Sequence, residues 1–266
     1  MKIRNFCPLI LFLGLAIIHA QDDAPDQGSD LEKQIQNPIA SLISLPFQNN
    51  TDFGIGSFDG TRNTLNIQPV VPFSLSENTN LITRTIIPII SQPIDPDNNE
   101  FGLGDINLSL FLTPAKPGSV IYGGGVALGI PTASNAFLGS EKWTAGPSFV
   151  VLVQPEGWTI GALAQNIWSY AGDDFRGDVN FFFSQVFATR NLPKGWYVNS
   201  APIITANWEA SSGNKWTIPL GAGFGKLFRW GKQPINAQAG YYFNVVKPDG
   251  GADSQLRFQI TLLFPK

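Results

Sequence analysis

Charge is scarce in this sequence. Asp, Glu, Lys and Arg make up 14% of its 266 residues, against roughly 25% in ordinary soluble domains. Long apolar runs are missing as well. After the first twenty residues no segment reaches the roughly eighteen uninterrupted apolar positions of a membrane-crossing helix, although 43% of the chain is hydrophobic. The apolar residues must therefore be spread by alternation. Cysteine, histidine and methionine occur once each, as Cys7, His19 and Met1.

All three single residues lie in a distinct leader. Lys2 and Arg4 form a basic start, Cys7 to Ile18 an apolar stretch, and Ala20 a small residue before a cleavage point, so residues 1–20 read as a cleaved signal peptide. About twelve apolar residues are too few to span a bilayer, and Cys7 lies too early to carry a lipid. Cleavage leaves no cysteine for a disulfide or a thiolate metal site. It also leaves no histidine for a Ser-His or Asp-His unit. The expectation is an exported chain that is not an enzyme, with no cofactor, no metal site and no catalytic residue. Without Lys2 and Arg4 the 17 basic residues become 15 against 20 acidic ones, a net charge near −5, which offers nothing to nucleic acid.

What the sequence does contain is clearest at its end. In Ser254–Phe264, Leu256, Phe258, Ile260, Leu262 and Phe264 share one parity; Gln255, Arg257, Gln259 and Thr261 share the other. A period of two is the strand signature, and a strand with one oily and one polar face separates two media. The same pattern recurs upstream. In 63–75, Leu65, Ile67, Val71, Phe73 and Leu75 oppose Thr64, Asn66, Gln68 and Ser74; in 102–113, Asp105, Asn107 and Ser109 oppose Ile106, Leu108, Leu110 and Leu112. Further strands are expected at 46–55, 80–91, 119–130, 143–154, 157–170, 179–190, 196–208, 215–230 and 234–246.

These twelve segments mostly run about ten to thirteen residues. Strands of soluble proteins average five or six, whereas a tilted membrane strand needs about nine to eleven. Every second connection is tight, and the alternate ones are longer and more acidic. That is the rim asymmetry of an outer-membrane barrel with both termini on the short-turn side. The fold expected is all-β: a transmembrane, antiparallel, up-and-down β-barrel of about 12 strands. Ten is the competing count, because 46–55 alternates weakly. Residues 46–266 would form the barrel. Residues 21–45 would be an acidic, disordered start (21–30) followed by a helical or irregular piece over 31–44, either a lumen plug or a periplasmic helix.

Several features resist phasing. Both parities of 81–90 are largely apolar around Arg84, so its facing stays open, as do those of Gln165 and Asn166. Pro69, Pro72, Pro88, Pro202 and Pro219 fall inside strands, where they argue for bulges or strand ends. Trp143, Trp158, Trp168, Trp196, Trp208, Trp216 and Trp230 all lie near strand ends, as residues of an interfacial girdle do.

The segments QNPIASLISLPFQNN (36–50), LNIQPVVPFSL (65–75), NLITRTIIPIISQP (80–93), FGLGDINLSLFLTP (101–114), WTIGALAQNIWSYAGD (158–173), GWYVNSAPIITANW (195–208) and the terminal LRFQITLLFPK carry a resemblance. They resemble a family of bacterial outer-membrane β-barrels grouped with transporters of meta-pathway phenol degradation, whose members often bear labels such as transporter or neuromedin U. The resemblance spans nearly the whole mature chain. It implies an outer-membrane location in a Gram-negative bacterium and a channel or transporter for small, often apolar or aromatic, molecules. It supplies no catalytic motif and no substrate-binding residues. One departure is the ending: Pro265 and Lys266 follow Phe264, where many barrels finish on an aromatic read by the insertion machinery.

Of the chemistry the residues themselves suggest, Gly102–Asp105 and Gly123–Gly125 are too loose for a phosphate loop, lacking a following helix and Lys. The acidic loop residues Asp95, Asp97, Glu100, Asp173, Asp174 and Asp178 read as solvated charges rather than a cation site. The candidate lumen-lining residues are Asn66, Gln68, Asp105, Asn107, Gln238, Arg257 and Gln259. Such a lining either passes a solute or fills the interior as a hydrogen-bonded network. The partners expected are outer-membrane lipid, lipopolysaccharide, the barrel-insertion machinery and an unidentified small solute. The alternative function is a non-transporting scaffold or adhesin.

Overall fold

The computed structural model describes residues 25–265; the expected signal segment, residues 1–20, lies outside the described residues. Twelve antiparallel strands close into a barrel. In order they are Ile43–Ile55; Gly60–Ile67 continued by Val70–Ser74; Thr79–Pro93; Asn99–Leu103 continued by Ile106–Pro114; Val120–Ile130; and Lys142–Val153. Then come Trp158–Gly172; Asn180–Asn191; Trp196–Ser200 continued by Ile203–Asn207; Trp216–Trp230; Gln233–Val246; and Ser254–Phe264. Each pairs with its neighbour in sequence. The ring closes between the first and the last, from Ile43 opposite Phe264 to Phe53 opposite Ser254. Closure removes the free edge that an open sheet would present. The nine uninterrupted strands run from 11 to 15 residues, ample for a tilted crossing.

The first strand is weak in sequence for a reason visible on its outer face. Asn49 and Thr51, which point outward, are satisfied by Asn63 of the second strand. Asn63 donates to Asn49 at 3.0 Å and to Thr51 at 2.8 Å, and Asn49 donates back at 2.9 Å. The polar patch closes on itself, so alternation is blurred without leaving unpaired amides.

Prolines mark three of the irregularities. The second and ninth strands break at Pro69 and Pro202, and the register between the tenth and eleventh shifts at Pro219. Pro72 and Pro88, by contrast, stay in register opposite Ile82 and Asn66. Pro88 loses its donor but keeps its acceptor, which takes Gly104 N–H at 2.9 Å where the fourth strand breaks.

One rim carries the turns 75–78, 115–119, 154–157, 192–195 and 231–232. The other carries 56–59, 94–98, 131–141, 173–179, 208–215 and 247–253. The N-terminal segment lies at the short-turn rim. Its helix is Pro25–Ile35, so it starts inside the stretch expected to be disordered and stops well before residue 44. Pro38 cannot continue a helix. Instead Asn37 turns the chain, its side-chain oxygen accepting Ile39 N–H at 3.0 Å and its carbonyl accepting Ala40 N–H at 3.2 Å. Leu31 is fixed because it packs with Ala40, Leu42 and Leu263 of the last strand.

Candidate functional site

Alternation assigns every strand an inside and an outside. In the last strand Phe258, Ile260 and Phe264 are exposed, while Arg257, Thr261 and Leu263 are buried. The buried parity faces the lumen. An exterior band of exposed Phe, Val, Leu and Ile would be insoluble in water, so it requires lipid.

The lumen has two unlike walls. Strands one, two and nine to twelve present a polar wall. There Gln48, Asn50 and Asp52 stand beside Gln255, Arg257 and Gln259, with Tyr197, Asn199, Asn236, Gln238 and Tyr242 further round. Arg257 is 3% exposed. It donates to Asn50 at 3.2 Å, to the Ala201 carbonyl at 3.0 Å and to Gln255 at 2.8 Å, and lies 4.5 Å over the Tyr242 ring. Tyr197 donates its hydroxyl toward Asn236 at 3.0 Å and Gln238 at 3.3 Å. Toward the loop rim Asp52 takes two bonds from Arg62, at 2.8 and 3.0 Å, and one from Gln255 at 2.8 Å.

The opposite wall is apolar. Ile82, Phe111, Ile121, Val150, Leu152, Leu163 and Phe187 point inward and form one cluster with Ile39 of the N-terminal segment. Ile39 sits over Gly123, where an added Cβ would come within 3.1 Å of its Cδ1. Hydrogen bonds hold the segment around that contact. Gln36 donates to Asn191 and accepts from Thr159 at 2.7 Å; Gln154 donates to the Lys33 carbonyl at 2.8 Å; Asn80 donates to Ser41 at 3.0 Å. Residues 34–42 thus lie inside the short-turn mouth. Between them and the polar wall remains a cavity of about 180 Å³.

The expected lining residues divide. Gln68, Gln238, Arg257 and Gln259 line that cavity. Asn66 faces inward opposite Gln48 and Pro88. Asn107 lines a second space of about 160 Å³ with Lys142 and Thr144. Asp105 borders the same space, but its carboxylate is occupied as an anchor for the 131–141 loop. It accepts from Ala133 N–H at 3.2 Å, Ser140 N–H at 2.7 Å and the Ser140 hydroxyl at 2.9 Å. Arg176 ties the same loop from outside, through the carbonyls of Ala136 and Gly139 at 2.9 and 2.7 Å.

The three open facings resolve. Arg84 enters the lumen opposite Val70 and Ser109 and donates to Gln68 at 2.7 Å. Gln165 points inward opposite Ser148; Asn166 points outward and accepts the Trp208 indole N–H at 2.8 Å. Sequence parity had no way to place Arg84, because its inward neighbours Ile82 and Ile86 are apolar while the outward face beside it carries Thr83 and Thr85.

The tryptophans sort into two levels. Trp158, Trp196 and Trp230 adjoin short turns; Trp143, Trp168, Trp208 and Trp216 adjoin loops. At the first level Arg190 lies 5.4 Å over Trp158 and Lys226 5.0 Å over Trp196. At the second, Trp208 and Trp216 meet edge-on at 5.3 Å, with Phe182 beside both.

No family model and no curated protein sequence matches the chain. Among solved structures it is similar to an outer-membrane channel from Pseudomonas putida F1, with 17% identity, a TM-score of 0.66, and coverage of 92% of this chain and all of that one. It is also similar to the NanC porin, with 9% identity, a TM-score of 0.52, and coverage of 84% of this chain and all of the porin. At such identities the likeness concerns the fold. The protein is a β-barrel of the outer-membrane class.

Proposed function

We propose that this protein is an outer-membrane channel for small molecules, with the short-turn rim and the N-terminal segment on the periplasmic side. The observation that carries the reading is the make-up of the interior. A barrel filled for stability alone would be packed through by its own strands, whereas here the short-turn mouth is occupied by residues 34–42, a segment outside the barrel wall. That segment is held by Ile39 on the apolar wall, by Ala40 and Leu42 packed with Leu31 against Leu263, and by a few hydrogen bonds, a set of contacts that can be broken without unfolding the wall. An interior with an apolar wall suits apolar or aromatic solutes, the preference implied by the resemblance to the phenol-degradation transporters.

In this reading the exterior band contacts membrane lipid and lipopolysaccharide. The two tryptophan levels serve as its girdles, and the last strand is the segment that the insertion machinery reads. Conductance across planar bilayers and swelling of liposomes, measured on refolded protein with and without residues 25–40, test the proposal. Solute flux that rises on deletion is the expected result. A fully formed barrel that passes neither ions nor solutes, even after deletion, would refute it.

A further inference from the structure

Resting on the channel reading, we propose that the cavity between residues 34–42 and the polar wall binds a small organic carboxylate with an apolar body. Among the described residues its lining includes two arginines, Arg84 and Arg257, and no Asp or Glu. Neither arginine forms an ion pair among the described residues. The lumen carboxylates are occupied elsewhere: Asp52 by Arg62 and Gln255, Asp105 by the 131–141 loop. A guanidinium offers five donors. Arg257 spends three of them on the wall, and so contributes mainly charge. Arg84 spends one, on Gln68, and keeps the rest for a ligand.

Two cations border one cavity between low-dielectric walls, which focuses a positive field there. Asp52, linked to Arg257 through Gln255, offsets part of the Arg257 charge, so Arg84 is the less compensated of the two. Guanidinium matches the two oxygens of a carboxylate. The ligand's other half is set by the neighbouring wall: Val70 and Phe187 border the cavity itself, and Ile82, Phe111 and Leu163 continue the same cluster. A purely inorganic anion would leave that wall unused. A neutral hydrocarbon would leave the guanidinium groups unpaired and desolvated.

Isothermal titration of refolded full-length protein with benzoate, benzyl alcohol and inorganic phosphate at constant ionic strength tests the assignment, with Arg84→Gln and Arg84→Lys alongside. Benzoate should bind at least tenfold more tightly than either of the others. Arg84→Gln should weaken it about tenfold or more, the loss expected for one charge-assisted hydrogen bond, and Arg84→Lys should weaken it less. Benzoate binding no tighter than benzyl alcohol or phosphate, or unchanged in Arg84→Gln, would overturn the inference. Bilayer recordings on the same samples separate the two claims. Conduction without benzoate binding leaves the channel standing and removes the site, whereas benzoate binding without conduction does the reverse.

Discussion

Replacing Ile39 by Ala should open the short-turn mouth more than any single polar change in the same segment. Ile39 is 3% exposed and belongs to the cluster formed by the apolar wall. Truncating a buried Ile to Ala costs about 2–5 kcal/mol, because transfer energy is lost and a cavity is left. Taking about 3 kcal/mol, the ratio of docked to undocked segment falls about 100-fold. The hydrogen bonds from Gln36 to Asn191 and from Thr159 to Gln36 are worth about 1 kcal/mol each net. Gln36→Ala should therefore shift the same ratio by only about ten- to thirtyfold. Gly123→Val would act from the wall, since its Cβ already meets Ile39 at 3.1 Å. Single-channel recording of refolded protein reads the open fraction directly. Ile39→Ala and Gly123→Val should raise it strongly, Gln36→Ala less, and deletion of residues 25–40 should hold the pore open. If Ile39→Ala leaves the open fraction at the parent level while deletion raises it, the apolar contact is not the latch.

Three further outcomes follow from particular contacts. Asp105→Ala leaves two backbone N–H donors of the 131–141 loop without an acceptor and the Ser140 hydroxyl with only the Lys142 carbonyl at 3.5 Å, at about 1–3 kcal/mol; limited proteolysis should cut that loop at least several-fold faster while heat-modifiable migration of the barrel persists. Gly225→Val places a Cβ 2.3 Å from the Tyr197 ring, and overpacking of this kind costs about 1–3 kcal/mol. The unfolding temperature in detergent should drop, whereas Gly124→Val, which meets only Phe149 at 3.4 Å, should leave it unchanged. Desolvation raises the Glu32 carboxyl above its ordinary value of 4.5, so the docked segment binds that proton more tightly than the released one. Docking is then firmest below about that pH and weakens as pH rises through the docked value. The open fraction should increase with pH over this window, and Glu32→Gln should flatten the increase.

Much of the fold was legible in the sequence because a barrel wall separates two media at every residue. Ser254–Phe264 is bounded in the structure as its alternation predicts, and the tight and long connections fall on opposite rims. The first strand begins at Ile43 rather than Pro46. The extra residues are fixed by pairing with Phe264 and Leu262, a long-range contact that local pattern does not record. Asp105 shows a similar limit. Its parity placed it at the lumen face, but its role as a loop anchor depends on Ser140, far along the chain. The helix at Pro25–Ile35 was hidden for another reason: the acidic, small composition of residues 21–30 argues for disorder, and what orders Leu31 is Leu263 at the opposite end of the chain.

The hardest stretch to phase turns out to carry the most information about the interior. Alternation of polar and apolar residues is a sign of a polar lumen against lipid, and it fades wherever the lumen wall is itself apolar. The 81–90 segment lost its alternation because Ile82, Ile86 and Ile90 face inward while Leu81, Ile87 and Ile89 face outward. Strands one and twelve kept theirs on the inner side, with Gln48, Asn50, Arg257 and Gln259. The first strand is blurred only on its outer face, by Asn49 and Thr51; the loss of alternation that comes from an apolar inner face falls in the half of the barrel against which Ile39 docks. A lone arginine in such a stretch has few ways to be satisfied from its own strand. Arg84 must reach across to the polar side, and it does so through Gln68. That places a cation at the seam between the two walls, where one molecule can meet both.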